Sequence, residues 1–188
     1  MKNMAFSLRK KRSKLFPETI ECYGVKYGIN ADFRNVLKIL AILKDPDILD
    51  VQKPKLLLSL FFKGTPPING VDVFCDFLSG GEEGDSKEAQ YDFEFDSEEI
   101  YSSFFMQYGI DLVEEKYLHW YKFLILLKGL SADTPFQKKI ELRFADLKGL
   151  KGKELTKAAQ AKERVQLPVN YTANELAEMK KFEEEWGK

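Results

Sequence analysis

Apolar positions along the chain change period several times, and the changes mark its elements. Ile20, Cys22, Val25, Tyr27 and Ile29 alternate around Gly24, which predicts a hairpin over residues 19–29. From residue 31 the spacing becomes helical. Phe33, Val36, Leu37, Leu40 and Leu43 share one face of a helix over 31–44, with Asn30 as its expected cap and Asp45-Pro46-Asp47 as its stop. A second helix is predicted from about Pro54 to Phe62, ended by Gly64. Val71, Phe74, Cys75 and Leu78 mark a third, closed by Gly80-Gly81. Residues 80–90 hold too little apolar content to offset ordering entropy, and read as a flexible acidic loop.

Tyr91–Phe95 alternates like a short strand or an extended segment. Asp96-Ser97-Glu98-Glu99 has the form of a capping box, in which the aspartate caps and the glutamate reaches back. It opens a helix with a broad aromatic stripe of Ile100, Tyr101, Phe104, Phe105 and Tyr108, ended by Gly109. The next helix, with Tyr117, Leu118, Tyr121, Leu124, Ile125 and Leu127, is apolar around much of its circumference and is expected at the centre. Thr134 followed by Pro135 starts another, lined by Phe136, Ile140, Phe144 and Leu147. Residues 148–164 are basic and helix-prone, and Leu167-Pro168 breaks them. A second capping box at Thr172 and Glu175 opens a terminal amphipathic helix with Leu176, Met179, Phe182 and Trp186 on one face. The predicted fold is therefore mainly α: a basic disordered tail over 1–16, a helical domain with a small hairpin over 17–168, and an amphipathic helix over 169–188.

Composition adds a constraint on partners. Hydrophobic residues make up 44% of the 188, enough for a packed core. Lys and Arg (29) nearly balance Asp and Glu (30), so no global field steers the chain to nucleic acid or an anionic membrane. The charge is segregated instead. Residues 1–16 carry six bases and no acid, residues 82–99 carry nine acids against Lys87, and residues 148–164 carry six bases against Glu154 and Glu163. Such blocks ordinarily belong to solvated segments. The run Arg9–Arg12 lacks interleaved aromatics to stack bases, which disfavours nucleic acid. The most apolar stretches are too short to span a bilayer, so no membrane partner is expected. Cys22 and Cys75 are isolated and read as small buried hydrophobes. With an N-terminus lacking an apolar signal region, they suggest a reducing cytoplasm.

Candidate chemistry is sparse. The single histidine, His119, lies on the most apolar helix without an identifiable nucleophile or orienting acid, and reads as structural. One histidine and two scattered cysteines do not compose a zinc site, no P-loop is present, and the acids of 82–99 do not follow the EF-hand order. The reading is a binding protein rather than an enzyme, with no cofactor. The candidate partner-binding residues are Tyr101 and Phe105 on the aromatic helix and Leu176, Met179, Phe182 and Trp186 on the terminal one, with Trp186 as anchor.

Several stretches carry a resemblance. They are Tyr27-Gly28-Ile29-Asn30-Ala31-Asp32-Phe33-Arg34; Tyr91-Asp92-Phe93 with Asp96, continuing through Ile100–Phe104 to Gln107-Tyr108-Gly109-Ile110-Asp111-Leu112; Leu118–Phe123, closing at Leu127-Lys128-Gly129-Leu130; and, more weakly, Arg143 with Asp146-Leu147. Over residues 18–168 the chain resembles the bacteriophage gene product fifteen proteins, encoded in siphophage tail modules, with Tyr121 where a second tryptophan is expected. The resemblance implies tail morphogenesis in the host cytoplasm and brings no catalytic residues. It suggests a tail assembly chaperone binding the tape measure protein, with the tail-tube protein as a further candidate partner and a homo-oligomer left open. The alternative is a structural virion component at a tail or connector interface.

Overall fold

Tyr23 and Gly24 both take positive φ (50° and 77°), the pair of conformations a two-residue turn needs to follow the twist of its strands. They join β1 (Thr19–Cys22) to β2 (Val25–Gly28) in antiparallel register, from Thr19 opposite Gly28 to Cys22 opposite Val25. The computed structural model describes residues 9–79 and 90–168. Ahead of the hairpin, α1 (Arg12–Leu15) forms a single helical turn where the sequence suggests only a disordered tail.

Behind the hairpin lie α2 (Phe33–Lys44), α3 (Lys53–Phe61) and α4 (Gly70–Ser79). The cap of α2 is Asp32, not Asn30: its Oδ1 accepts from the Arg34 amide at 3.0 Å. Asn30 is occupied elsewhere, its amide donating to the Phe61 carbonyl at 2.7 Å and its own carbonyl accepting from Asn35 Nδ2 at 3.0 Å. The buried positions of α2 are Phe33, Val36 and Ile39, while Leu43 at the helix end is exposed. In α4 the buried face is Val73, Phe74 and Phe77; Val71 and Cys75 face solvent, so only Cys22 behaves as a buried thiol.

Tyr91–Phe95 forms no strand; the chain turns there into α5 (Ser97–Tyr108). Gly109 ends α5 in the left-handed conformation (φ 63°), its amide bonded to the Phe105 carbonyl. Then α6 (Trp120–Lys128) begins three residues later than its apolar run. Leu118 is extended instead, and pairs with α2: the Phe33 amide donates to its carbonyl at 2.9 Å, and its amide donates to Asp32 Oδ2 at 3.1 Å. α6 is central, as its apolarity predicts. Phe123 is stacked on Phe33 (4.7 Å between centroids), Phe104 (5.3 Å) and Trp120 (5.8 Å).

α7 (Pro135–Arg143) has Thr134 at its N-cap position and proline at its start, although the Thr134 hydroxyl donates back to the Ser131 carbonyl rather than capping. It stops before Phe144, which is 54% exposed, so the expected stripe through Phe144 and Leu147 ends at Ile140. α8 (Gly152–Arg164) buries no residue and packs on α7. The predicted acidic loop falls almost wholly, and the terminal amphipathic helix wholly, outside the described residues.

Candidate functional site

Two features of the described structure are built rather than incidental: a buried ion cluster at the start of α5, and an apolar groove beside it.

Asp96 was expected to cap α5, but its carboxylate accepts no bond from that helix. It faces the end of α7 instead. Arg143 Nη2 donates to its Oδ1 at 2.7 Å and Nη1 to its Oδ2 at 3.1 Å, the two-pronged geometry that matches guanidinium to carboxylate. Lys139 Nζ sits 3.0 Å from the same Oδ1 and 2.8 Å from Glu99, so Glu99 does not reach back to the helix start either. Both Asp96 and Arg143 are buried. Burial works against the Asp96 charge, but Arg143, the Asp92 amide and Lys139 outweigh it and hold the carboxyl below the ordinary range. The remaining Arg143 donors go to two distant carbonyls: Nε to Val165 at 2.6 Å and Nη1 to Gln90 at 2.7 Å. One side chain thus ties together α5, α7, the chain after α8 and the chain before Tyr91.

The groove is about 520 Å3 and runs between α2, α5 and the loop ahead of α6. Phe33, Ile100, Leu112 and Phe123, all buried, form its floor; Leu37 and Phe93 make its walls. Tyr101 and Val113 stand on the rim, and Val113 is 70% exposed. Two of its polar lining groups are already engaged. The Tyr101 hydroxyl donates to Asp111 Oδ2 at 3.1 Å, and Arg34 is forked onto Asp32 at 3.0 and 3.1 Å. Burial opposes the charge on Asp32, yet Arg34 and the Leu118 amide keep its carboxyl low. This volume lies in the range of binding sites, and its lining suits apolar side chains rather than a polar substrate.

The sequence-derived candidates divide accordingly. Tyr101 lines the groove. Phe105 lies one turn further along α5, outside the lining and 57% exposed. Leu176, Met179, Phe182 and Trp186 lie outside the described residues. The groove residues that pattern alone misses are Phe33 and Leu37, which periodicity assigns to core, and Leu112 and Val113, which sit in a loop with no periodicity.

His119 is structural in its surroundings. It is 4% exposed, its Nδ1 accepts from the Tyr121 amide at 3.1 Å, and its Nε2 meets the Pro17 carbonyl at 3.0 Å. Those partners select the neutral form protonated at Nε2. Burial depresses its pKa. Among the described residues no three His, Cys, Asp or Glu side chains group as metal ligands would, and no helix is long and apolar enough to cross a membrane.

The stretch of chain that carries this arrangement matches one family. A family model described as Bacteriophage Gp15 protein matches residues 13–167. The chain belongs to the bacteriophage Gp15 family. The match takes in every residue of the groove and of the ion cluster, and begins ahead of the hairpin, within α1. Membership places the chain among phage structural or morphogenesis proteins. No curated protein and no solved structure is significantly similar to it.

Proposed function

We propose that this Gp15 protein is a non-enzymatic tail assembly chaperone. It acts in the host cytoplasm and binds the tape measure protein of a siphophage by seating an apolar helical stripe in the groove. The observation that carries the reading is the groove itself: an open apolar site on a phage protein, where Tyr101 and Arg34 are engaged by Asp111 and Asp32. A long helical tape measure presents apolar stripes until the tail tube encloses it, which is an aggregation hazard. A groove floored by rigid aromatic rings and edged by Tyr101 and Val113 suits such a stripe. The test is co-expression with the same phage's tape measure protein. The expected result is a soluble co-eluting complex where the tape measure alone is insoluble.

The alternative is a structural component retained in the virion, and the exposed rings of Phe105 and Phe144 would serve a permanent interface equally well. Mass spectrometry of purified particles separates the two. Stoichiometric recovery of the chain from virions favours the structural role, and its absence favours the chaperone.

A further inference from the structure

The groove is bordered by acids along one part of its edge. From residue 90 to residue 115 the chain has eight acids and no Lys or Arg. That stretch supplies α5 and part of the loop ahead of α6, which together line much of the groove. Three of the acids are neutralised: Asp92 by Lys44 at 2.6 Å, Asp96 by Arg143 at 2.7 Å and Glu99 by Lys139 at 2.8 Å. Four of the others stand at or beside the groove. Glu98 lines it. Asp111 accepts from the Tyr101 hydroxyl on the rim; that bond, and then the charges of Asp111 and Glu114, raise the pKa of the hydroxyl. Arg34, held chiefly by its bond to Asp32, also feels the charge of Glu115. The neighbouring bases are Arg34, already forked onto Asp32, Lys38 one turn further along α2, and Lys116 next after Glu115. Such an edge repels phosphate-bearing partners, nucleic acid and anionic membrane alike. It is complementary to an apolar stripe that carries bases along its flank.

We propose that the groove selects an amphipathic helix whose apolar stripe is flanked by Lys or Arg on the side that meets Glu98, Asp111 and Glu114. The proposal deepens the chaperone reading, and it rests on that reading for the identity of the partner: basic-flanked helical segments of the tape measure protein are the ones held, and acid-flanked ones are passed over. The apolar floor supplies the contact area. The acids supply the choice and the rate of encounter, because a solvent-exposed ion pair adds little affinity by itself.

The test uses the full chain and two synthetic helical peptides of about 18 residues, long enough for several turns. Both carry the same leucine stripe and are stapled to equal helicity; one has Lys along the flanks and the other Glu. Fluorescence anisotropy is expected to show the Lys peptide binding about tenfold more tightly at low salt, with most of that difference gone in about 0.5 M salt. Glu98→Lys with Glu114→Lys, at two exposed side chains, should reverse the preference. Glu141→Lys with Glu154→Lys makes the same change in net charge outside the groove lining, and should leave the preference in place. Equal binding of the two peptides would overturn the proposal, as would a preference that both double variants alter alike. Binding of neither peptide at about 100 µM protein would overturn it too, since a selective site should reach that affinity; a dimer seen then by sedimentation would assign the groove to a second copy. Tape measure capture without a charge preference would remove this proposal and leave the chaperone reading. A charge preference without capture would do the reverse.

Discussion

Asp96 and Arg143, 47 positions apart in sequence, meet as a fully buried two-pronged ion pair whose arginine also holds the carbonyls of Gln90 and Val165. Two charges out of water persist only when every donor and lone pair is satisfied, and here each Arg143 nitrogen has an oxygen partner.

Removing either partner leaves the other charge buried and unpaired. Asp96→Ala and Arg143→Ala are each expected to cost about 3–5 kcal/mol in urea unfolding. The double substitution should cost clearly less than the sum, since the two act as one unit. Arg143→Lys should not rescue, because a lysine cannot span the carboxylate and both carbonyls at once. Additive losses would show that the pair is not coupled.

Acid should unfold the protein in two stages. His119 is the only histidine, and its folded pKa is depressed by burial. The unfolded state therefore takes up the proton first. The stability of neutral His119 is complete above its unfolded pKa of about 6.5 and falls as pH drops below it. Asp32, Asp92 and Asp96 are also held below the ordinary carboxyl range, so their contribution is intact above about pH 4 and is lost as pH falls through their folded values. Urea midpoints measured from pH 8 to pH 3 should show both steps, and His119→Gln should abolish the upper one alone.

Gly109 closes α5 at φ 63°, with nothing within 4 Å of where a Cβ would sit. Gly109→Ala is therefore a conformational substitution without a clash, expected to cost roughly 1–2 kcal/mol in thermal or urea unfolding. A near-neutral result would mean that the turn relaxes.

The fold class was legible because apolar residues at helical spacing are buried in α2, α4, α5 and α6, and because Gly24, Gly109 and Pro135 punctuate the chain. The helix caps were less so. Asn30 and Asp96 are good capping residues by type, yet Asp32 takes the first role, its carboxylate also held by the Leu118 amide far along the chain, and Arg143 draws Asp96 away from the second. Neither competing partner is visible locally. The groove was half legible for the same reason. Tyr101 stands out in a helical stripe, whereas Leu112 and Val113 reach the site only because the loop ahead of α6 pairs with Asp32. Periodicity also reports burial without saying which apolar ring stays at an open edge, so Phe105 could not be told from Tyr101.

The most direct measurement is the yield of soluble tape measure protein when co-expressed with the wild-type chain, with Val113→Glu, and with Val51→Glu. Val113 is at the groove rim; Val51 is 83% exposed and outside the lining, so both variants should fold. The account predicts that the wild type and Val51→Glu keep the tape measure soluble and co-elute with it, while Val113→Glu loses most of the complex. Equal capture by all three chains, or capture by none, would contradict a tape measure site in this groove.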